Sequence, residues 1–127
     1  MIIVLYKISM YNCSDIILKK ELINMIDISV KEAEELISTE KDLLILDVRT
    51  HEEYVDGHLE NSKLIPLGKL PLDIDELYGL EDTPILVYCR SGGRSYQASL
   101  ILENNGFRKI YNMLGGYTKW EQHLGNK

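Results

Sequence analysis

Cysteine is scarce in this sequence: Cys13 and Cys89 are the only two among 127 residues. Two distant cysteines are too few for the disulfide framework of a small secreted domain, and no C-x-x-C pair suggests a structural zinc site. The first residues also lack the basic segment and the small-residue cleavage site that an export signal requires. We therefore expect both thiols to be free, in a protein of the reducing cytoplasm, with Cys13 as a bystander.

Long hydrophobic runs and an excess of positive charge are missing as well. No segment approaches the ~20 consecutive apolar residues that a membrane-spanning helix requires. The net charge is −6, whereas general binding to nucleic acid needs a basic surface that contacts phosphates. Membrane and nucleic acid are therefore not expected as partners. A local positive pocket is still compatible with this net charge, and Arg90 and Arg94 are the residues that could form one.

Internal repeats and low-complexity linkers are also absent, which favours a single folded unit. A chain of 127 residues with 45% hydrophobic residues is long enough to bury a core of its own. Residues 1–25 are the least patterned part, although the apolar stretch at residues 2–6 is compatible with an edge strand. We predict an N-terminal extension over residues 1–25 and one domain over residues 26–127, with Met25 as a candidate native start.

After the N-terminal extension, short apolar runs alternate with helical patterns. Two Ser/Thr-x-x-Glu capping boxes, at residues 29–32 and 50–53, predict helices that begin there, the second over residues 51–56. Gly57 is expected to end this second helix in a left-handed conformation. Strands are predicted over residues 43–47, 63–67, 84–88 and 109–113, and further helices over residues 72–77, 94–105 and 117–124. Strands that alternate with helices predict an α/β fold with a mainly parallel sheet covered on both faces.

Cys89 occupies a distinctive position, in the stretch YCRSGGRS at residues 88–95. It follows the clearest predicted strand and precedes a predicted helix, and ligands of parallel α/β sheets bind at this end of the strands. Gly92 and Gly93 carry no Cβ, so the connecting loop can turn several backbone N–H groups inward. The position predicts that the thiol faces a ring of amide donors.

The charges near Cys89 point the same way. The N-terminus of the following helix contributes partial positive charge, and Arg90 and Arg94 add two full charges. All of these favour the thiolate, which is the nucleophilic form of cysteine, so the thiol pKa is predicted to lie below its free value of ~8.5. The alternative is a buried, inert cysteine at a strand end, which would leave the glycine pair and the arginines unexplained.

Three motifs occur in a characteristic order: DVRTHEEYVDGHL at residues 47–59, YCRSGGRS at residues 88–95 and LGGYTKW at residues 114–120. With these motifs the chain resembles the rhodanese family of sulfurtransferase domains over about residues 26–124. The resemblance implies a three-layer α/β/α fold around a five-stranded, mainly parallel sheet. It also implies that Cys89 accepts a sulfane sulfur as a persulfide and passes it to a nucleophile. No metal or organic cofactor is implied.

The resemblance suggests the substrates and the residues that bind them. The donor would be a small anion such as thiosulfate, and the acceptor cyanide, a thiol or a sulfur-relay protein. Arg90 and Arg94 would attract the donor, while Ser91 and Ser95 could donate hydrogen bonds. The inward N–H groups would stabilise the negative persulfide. The expected loop site therefore consists of Cys89, Arg90, Ser91, Gly92, Gly93, Arg94 and Ser95.

Two other functions compete with sulfur transfer. Cysteine-dependent phosphatases and arsenate reductases also place a cysteine at a strand end, but with five residues between the cysteine and the arginine. Here Cys89 and Arg94 are separated by four residues, and this smaller ring suits one terminal sulfur better than a tetrahedral oxyanion. A non-catalytic interaction module of the same fold is the third possibility, although such modules often lack the cysteine.

Four residues of the first motif are candidates for supporting roles. Asp47 ends a predicted strand at the edge of the sheet where ligands bind, and it could orient groups of the loop. Arg49 and Glu53 are four residues apart, so we expect an ion pair between them. His58 is more readily explained by a structural hydrogen bond than by catalysis, because an acidic thiol needs no base. Just after this motif the chain departs from the family, whose members commonly continue with Pro-Gly-Ala and then Asn, and we expect Asn61 of this chain to adopt a left-handed turn.

Overall fold

The computed structural model describes residues 24–127, in which five parallel strands form one sheet. Their order across the sheet is β1-β5-β4-β2-β3. The strands are β1 (Met25–Ile28), β2 (Leu44–Asp47), β3 (Ser62–Leu64), β4 (Ile85–Tyr88) and β5 (Ile110–Met113). The expectation of a mainly parallel sheet is confirmed. The predictions for residues 2–6 and for Cys13 concern a part of the chain outside the described residues.

This part of the chain has five α-helices, of which four connect successive strands and the fifth follows β5. They are α1 (Val30–Thr39), α2 (His51–Asp56), α3 (Leu70–Asp73), α4 (Gly93–Asn104) and α5 (Gly116–Gly125), and 3₁₀ turns at Leu67–Lys69 and Ile74–Leu77 flank α3. Both predicted capping boxes form, because Ser29 with Glu32 and Thr50 with Glu53 exchange side-chain and backbone hydrogen bonds. Within residues 24–127, no helix combines the length and apolar character needed to cross a bilayer.

The helices cover both faces of the sheet and enclose two apolar clusters. Side chains of α3 and α4, such as Leu70 and Leu102, pack on one face, and those of α1 and α5, such as Ala33 and Trp120, pack on the other. Strand β4 lies at the centre, and all four of its residues are fully buried. Each large apolar side chain buried in this way contributes about 1.5–3 kcal/mol to folding. The three-layer arrangement expected from the sequence is confirmed.

The first strand was not predicted from the sequence. β1 has the short sequence MIDI, and Ile26 and Asp27 are exposed, so it lacks the continuous apolar run that marks a buried strand. Among the described residues it pairs only with β5, at the edge of the sheet. Such an edge position tolerates polar and exposed residues, which is why the hydrophobic pattern did not identify it.

Three local predictions differ from the structure. The helix expected over residues 72–77 is α-helical only as far as Asp73 and continues as a 3₁₀ turn over Ile74–Leu77. The strand expected over residues 63–67 ends at Leu64, and Pro66, which has no N–H to donate, precedes the 3₁₀ turn. Gly57 ends α2 but is not left-handed helical, because its φ is +154° and its ψ is +143°. Its carbonyl accepts a hydrogen bond from Arg49, and a Cβ at this position would lie 2.7 Å from the Tyr117 hydroxyl.

The parallel sheet brings the sequence motifs together at the carboxyl ends of its strands. Asp47 at the end of β2 is in register with Tyr88 at the end of β4, and Cys89 follows directly. Helix α5 begins three residues after β5 ends at Met113. Because the carboxyl ends of parallel strands all lie at the same edge of the sheet, the three motifs meet around Cys89.

Candidate active site

The segment of residues 89–94, which we call the cysteine loop, leaves β4 and enters α4. Gly92 has a φ of +120° and a ψ of −19°, a conformation that residues with a Cβ rarely adopt. Gly93 shows no positive φ, and a Cβ at this position would meet no atom within 4 Å. The expectation that both glycines shape the loop is therefore corrected: the backbone requires glycine only at position 92.

Amide and hydroxyl groups surround the Cys89 sulfur on one side. The Gly92 N–H donates a hydrogen bond to Sγ at 3.0 Å, and Ser95 Oγ lies 3.5 Å from Sγ. Burial raises the pKa of Cys89. The hydrogen bond with the Ser95 side chain and those from the N–H groups of Ser95, Gly92 and Ser91 outweigh this effect, so the pKa lies below its ordinary value. Cys89 is 1% exposed, and its other side joins an apolar cluster.

Helix α5 holds the loop through two of the loop's backbone carbonyl groups. The Tyr117 N–H donates to the Cys89 carbonyl at 2.8 Å, and the Thr118 N–H donates to the Arg90 carbonyl at 3.1 Å. In a trans peptide the N–H points away from the C=O, so the N–H groups of Arg90 and Ser91 are directed away from α5. The first turn of α5 thereby fixes the orientation of the peptide groups that follow Cys89.

The arginine that closes the loop is bound by a carboxylate of α2. Arg94 donates two hydrogen bonds to Glu53, at 2.8 and 3.0 Å. These bonds, together with the Thr50 cap, lower the pKa of Glu53 to about 2. The predicted pair of Arg49 with Glu53 is wrong, and Arg94 is not the unpaired cation that was expected to attract a donor. Arg90, with a side chain 71% exposed and 4.0 Å from Glu53, is the more available charge.

Arg49 pairs with Asp47 because it precedes α2 and turns back towards β2. Its Nε and Nη2 donate to both carboxylate oxygens at 2.7–3.1 Å, and Nη2 also donates to the Gly57 carbonyl at 2.7 Å. The Tyr88 hydroxyl donates to Asp47 Oδ2 at 2.6 Å, and burial together with this bond raises the pKa of Tyr88. Among the described contacts, Asp47 binds Arg49 and Tyr88 and not the cysteine loop. The expectation that it orients loop groups directly is corrected.

The remaining candidates are His58 in the first motif and Asn61 just after it. His58 is exposed, its Nδ1 is 2.7 Å from the Tyr54 carbonyl oxygen, and its ring stacks on that of Tyr54 at 3.7 Å. These contacts are of the structural kind that was expected for this histidine. Asn61 has a φ of +67°, so the predicted left-handed turn is confirmed.

Sequence reasoning missed two features that shape the site. Gly116 was not among the predicted site residues, yet its φ is +56° and a Cβ on it would collide with the backbone of Cys89 and Arg90. Tyr117 packs α5 onto the core, and the centre of its ring also lies 4.4 Å from the Arg49 guanidinium carbon. The occurrence of both residues in the third motif was the available signal.

The fold and the site define a class of protein: a parallel α/β domain that presents a cysteine in a loop of amide donors at the end of its central strand. A family model described as a rhodanese-like domain matches residues 29–123. The chain belongs to this family.

Individual relatives agree with this assignment. A sulfurtransferase from Allochromatium vinosum is 34% identical over 102 residues, which are 80% of this chain and 92% of that protein. A putative sulfur carrier protein from Bacillus subtilis, YrkF, is 34% identical over 94 residues, and the match covers 74% of this chain but only 50% of YrkF. The crystal structure of a rhodanese-like domain protein from Staphylococcus aureus superposes with a TM-score of 0.67 at 31% identity, covering 74% of this chain and 89% of that one.

Proposed function

We propose that this protein is a sulfurtransferase that carries sulfane sulfur as a persulfide on Cys89. The observation that carries the proposal is the hydrogen bond from the Gly92 N–H to the Cys89 sulfur, at 3.0 Å. The amides and the Ser95 hydroxyl stabilise negative charge at this position, and they would stabilise a thiolate and then a persulfide anion. The relative named as a sulfurtransferase supports this chemistry.

The reaction follows from the nucleophilicity of the thiolate. With thiosulfate, Cys89 attacks the outer sulfur, the bond between the two sulfur atoms breaks, and sulfite leaves with the bonding electron pair. Cyanide or a thiol then attacks the terminal sulfur of the persulfide, and Cys89 leaves as the thiolate. No net oxidation occurs in the protein, and the chemistry needs no metal or organic cofactor.

The surroundings suggest how substrates approach. Arg90 is the exposed cation next to Cys89, so it would draw an anionic donor towards the loop. A sulfur-relay protein is a further partner, since one relative is named as a putative sulfur carrier. We place the protein in the cytoplasm, where a reactive thiol stays reduced. Phosphate transfer is less well supported, because Arg94 is bound by Glu53 and is not available to hold an oxyanion.

Intact-mass measurement after incubation with thiosulfate tests the proposal. We expect the chain to gain the mass of one sulfur atom, peptide mapping to locate it on Cys89, and cyanide to remove it with release of thiocyanate. p-Nitrophenyl phosphate serves as the control substrate, and we expect no turnover of it. A chain that gains no sulfur but hydrolyses the phosphate ester would contradict the proposal.

We also predict how the alkylation rate of Cys89 depends on pH. Because the thiol pKa is lowered, the alkylation rate with iodoacetamide should reach its half-maximum below the free value of ~8.5. Glu53→Gln leaves the Arg94 charge unbalanced and should lower this midpoint further, whereas Arg94→Ala leaves an unbalanced carboxylate and should raise it. We expect each shift to be about half a pH unit.

Glutamine can still serve in the capping box, so Glu53→Gln should keep α2. Glu52→Gln removes an exposed charge from the same helix and is the matched control, for which we expect an unchanged midpoint. Shifts in the same direction for Glu53→Gln and Arg94→Ala would show that the ion pair does not tune the thiol.

A further inference from the structure

Positive charge is concentrated at the carboxyl ends of the strands, where Cys89 lies. The six residues that follow each of the five strands carry, in total, six cationic and four anionic side chains, whereas the rest of residues 24–127 carries five and fourteen. Because the carboxyl ends of parallel strands lie at one edge of the sheet, this edge is net positive in a chain whose net charge is −6. The charges of the domain are therefore sorted by position, and the acidic residues predominate away from the cysteine.

Four of these cations form a row across the sheet, which we call the cationic row. They follow the strands β1, β5, β4 and β3 and are, in that order, Lys31, Lys119, Arg90 and Lys69. All four residues are exposed. At ~4.8 Å between neighbouring strands, the five strands span about 20 Å. The cationic row is thus wider than a small anion such as thiosulfate requires, and it fits within a protein–protein contact, which covers ~800 Å² on each partner.

Carboxylates of the domain leave the cationic row largely unneutralised. Among residues 24–127, the three lysines of the row form no ion pair. The carboxylate near Arg90, 4.0 Å away, belongs to Glu53, and Arg94 already binds it. By contrast, three of the five cationic side chains in the rest of this part of the chain are paired with a carboxylate, namely Lys63, Arg108 and Lys127. The cationic row is therefore available to anionic groups of another molecule.

The middle of the cationic row lies against the cysteine loop. Arg90 directly follows Cys89 in the chain. The Lys119 side chain lies over Gly115, since a Cβ on this glycine would collide with it. The backbone nitrogen of Gly115 in turn lies 3.7 Å from the position that a Cβ on Gly92 would take, and the Gly92 N–H binds the Cys89 sulfur. A partner held by Arg90 and Lys119 is thereby placed over the loop that contains the reacting sulfur.

We propose that the cationic row is the docking surface for a protein that exchanges sulfur with Cys89 and carries acidic residues around its own reactive cysteine. This inference rests on the proposed sulfur transfer and names the kind of partner. Cys89 is 1% exposed, whereas Ser91 and Gly93 of the loop are exposed, so the partner presents its cysteine on a protruding segment. A long polyanion such as RNA is disfavoured, because the acidic remainder of the domain repels phosphates that extend beyond the row.

The exchange with the partner is balanced without a further reagent. The thiolate of the partner attacks the outer sulfur of Cys89–S–SH, and the S–S bond breaks. Cys89 leaves as the thiolate with the electron pair, and the outer sulfur and its proton are now bound to the cysteine of the partner. The reverse reaction loads Cys89, so the same docked complex serves both directions.

The test compares three synthetic peptides as acceptors from protein that has been fully loaded with thiosulfate. The peptides have the same length, and the residues on both sides of a central cysteine are glutamate, glutamine or lysine. Single-turnover rates are expressed per thiolate, so that differences in thiol pKa do not enter. At low ionic strength we expect the glutamate peptide to accept sulfur about tenfold faster than the glutamine peptide, and the lysine peptide to be the slowest. Salt at about 1 M, where the Debye length is ~3 Å, should remove most of these differences.

Charge variants test the cationic row itself. Lys119→Gln and Lys69→Gln should each slow transfer to the glutamate peptide about threefold at low ionic strength, and neither should slow transfer to the glutamine peptide. The matched controls are Lys41→Gln and Lys109→Gln, which remove exposed cations that precede β2 and β5. These two residues lie at the opposite edge of the sheet, and we expect both rates to stay unchanged.

The outcomes separate the two proposals. Equal rates for the three peptides, or unchanged rates in Lys119→Gln and Lys69→Gln, in protein that loads from thiosulfate would overturn the docking surface and leave the sulfur transfer intact. Stronger inhibition by a single-stranded oligonucleotide than by a cysteine-free glutamate peptide of equal charge would indicate a nucleic acid as the partner and would also overturn it. Failure of Cys89 to load from thiosulfate and from cysteine persulfide would overturn both proposals.

Discussion

The Cys89→Ser variant should acquire no sulfur from thiosulfate, and its transfer to cyanide should fall by at least about a thousandfold, since a serine hydroxyl is not ionised near neutral pH. The fold should survive the change. Serine is slightly smaller than cysteine, and its hydroxyl can accept the Gly92 N–H that now meets the sulfur. We expect the free energy of unfolding to fall by about 1 kcal/mol. Thiocyanate release and urea unfolding measure the two effects separately.

Cys13→Ser is the matched control, because Cys13 is the other cysteine of the chain. We expect this variant to gain one sulfur atom as the wild type does. If Cys89→Ser still gains the sulfur atom and Cys13→Ser does not, the persulfide forms on Cys13, and the proposed function is contradicted.

The second large effect is expected for Gly116→Ala, a change outside the cysteine loop. Gly116 has a φ of +56°, and its Cβ would lie 2.6 Å from the carbonyl carbon and oxygen of Arg90 and closer still to the Cys89 carbonyl oxygen. These are backbone atoms, so the loop itself must move. We expect a loss of at least about 2 kcal/mol in stability and a sulfur uptake about tenfold to a hundredfold slower, since small displacements of reacting groups have effects of this size.

Two controls separate displacement of the loop from loss of stability. Gly125→Ala lies at the other end of α5, where a Cβ would meet nothing within 4 Å, and it should behave like the wild type. Leu77→Ala removes a side chain that is 1% exposed and should cost about 2–5 kcal/mol without slowing uptake by the folded protein. Normal uptake by folded Gly116→Ala would show that α5 does not hold the loop in place.

Much of the fold could be predicted from the sequence because its signals are local. A capping box lies within four residues, and β4 is a continuous apolar run, so each can be recognised from its immediate neighbours. β1 was missed because it carries no such local signal. Its only partner among the described residues is β5, and the hydrogen-bonded side chains of Asp27 and Asn112 are 85 positions apart in the sequence. The residues of β1 alone do not indicate that pairing.

The candidate site was predictable in position but not in its charge pairs. The i,i+4 rule that suggested Arg49 with Glu53 applies within a helix, but Arg49 precedes Thr50, the N-cap of α2. Its side chain instead meets Asp47, two residues back. Glu53 reaches Arg94, which is 41 positions away in sequence. Such partners are set by distances in space, and spacing along the chain does not reveal them.

The sequence by itself determined the family, the alternation of strands and helices, and the placement of Cys89 at the end of the central strand, because these follow from motifs and patterns of adjacent residues. Only the tertiary structure decided which charges remain available around the thiol. Arg94 is balanced by Glu53, and Arg49 is held by Asp47 and by the Gly57 carbonyl, while the Arg90 side chain stays largely exposed. The physical reason is that hydrogen bonding and charge pairing depend on separations of a few ångströms, and only the packing of α2 and α5 against the sheet sets those separations.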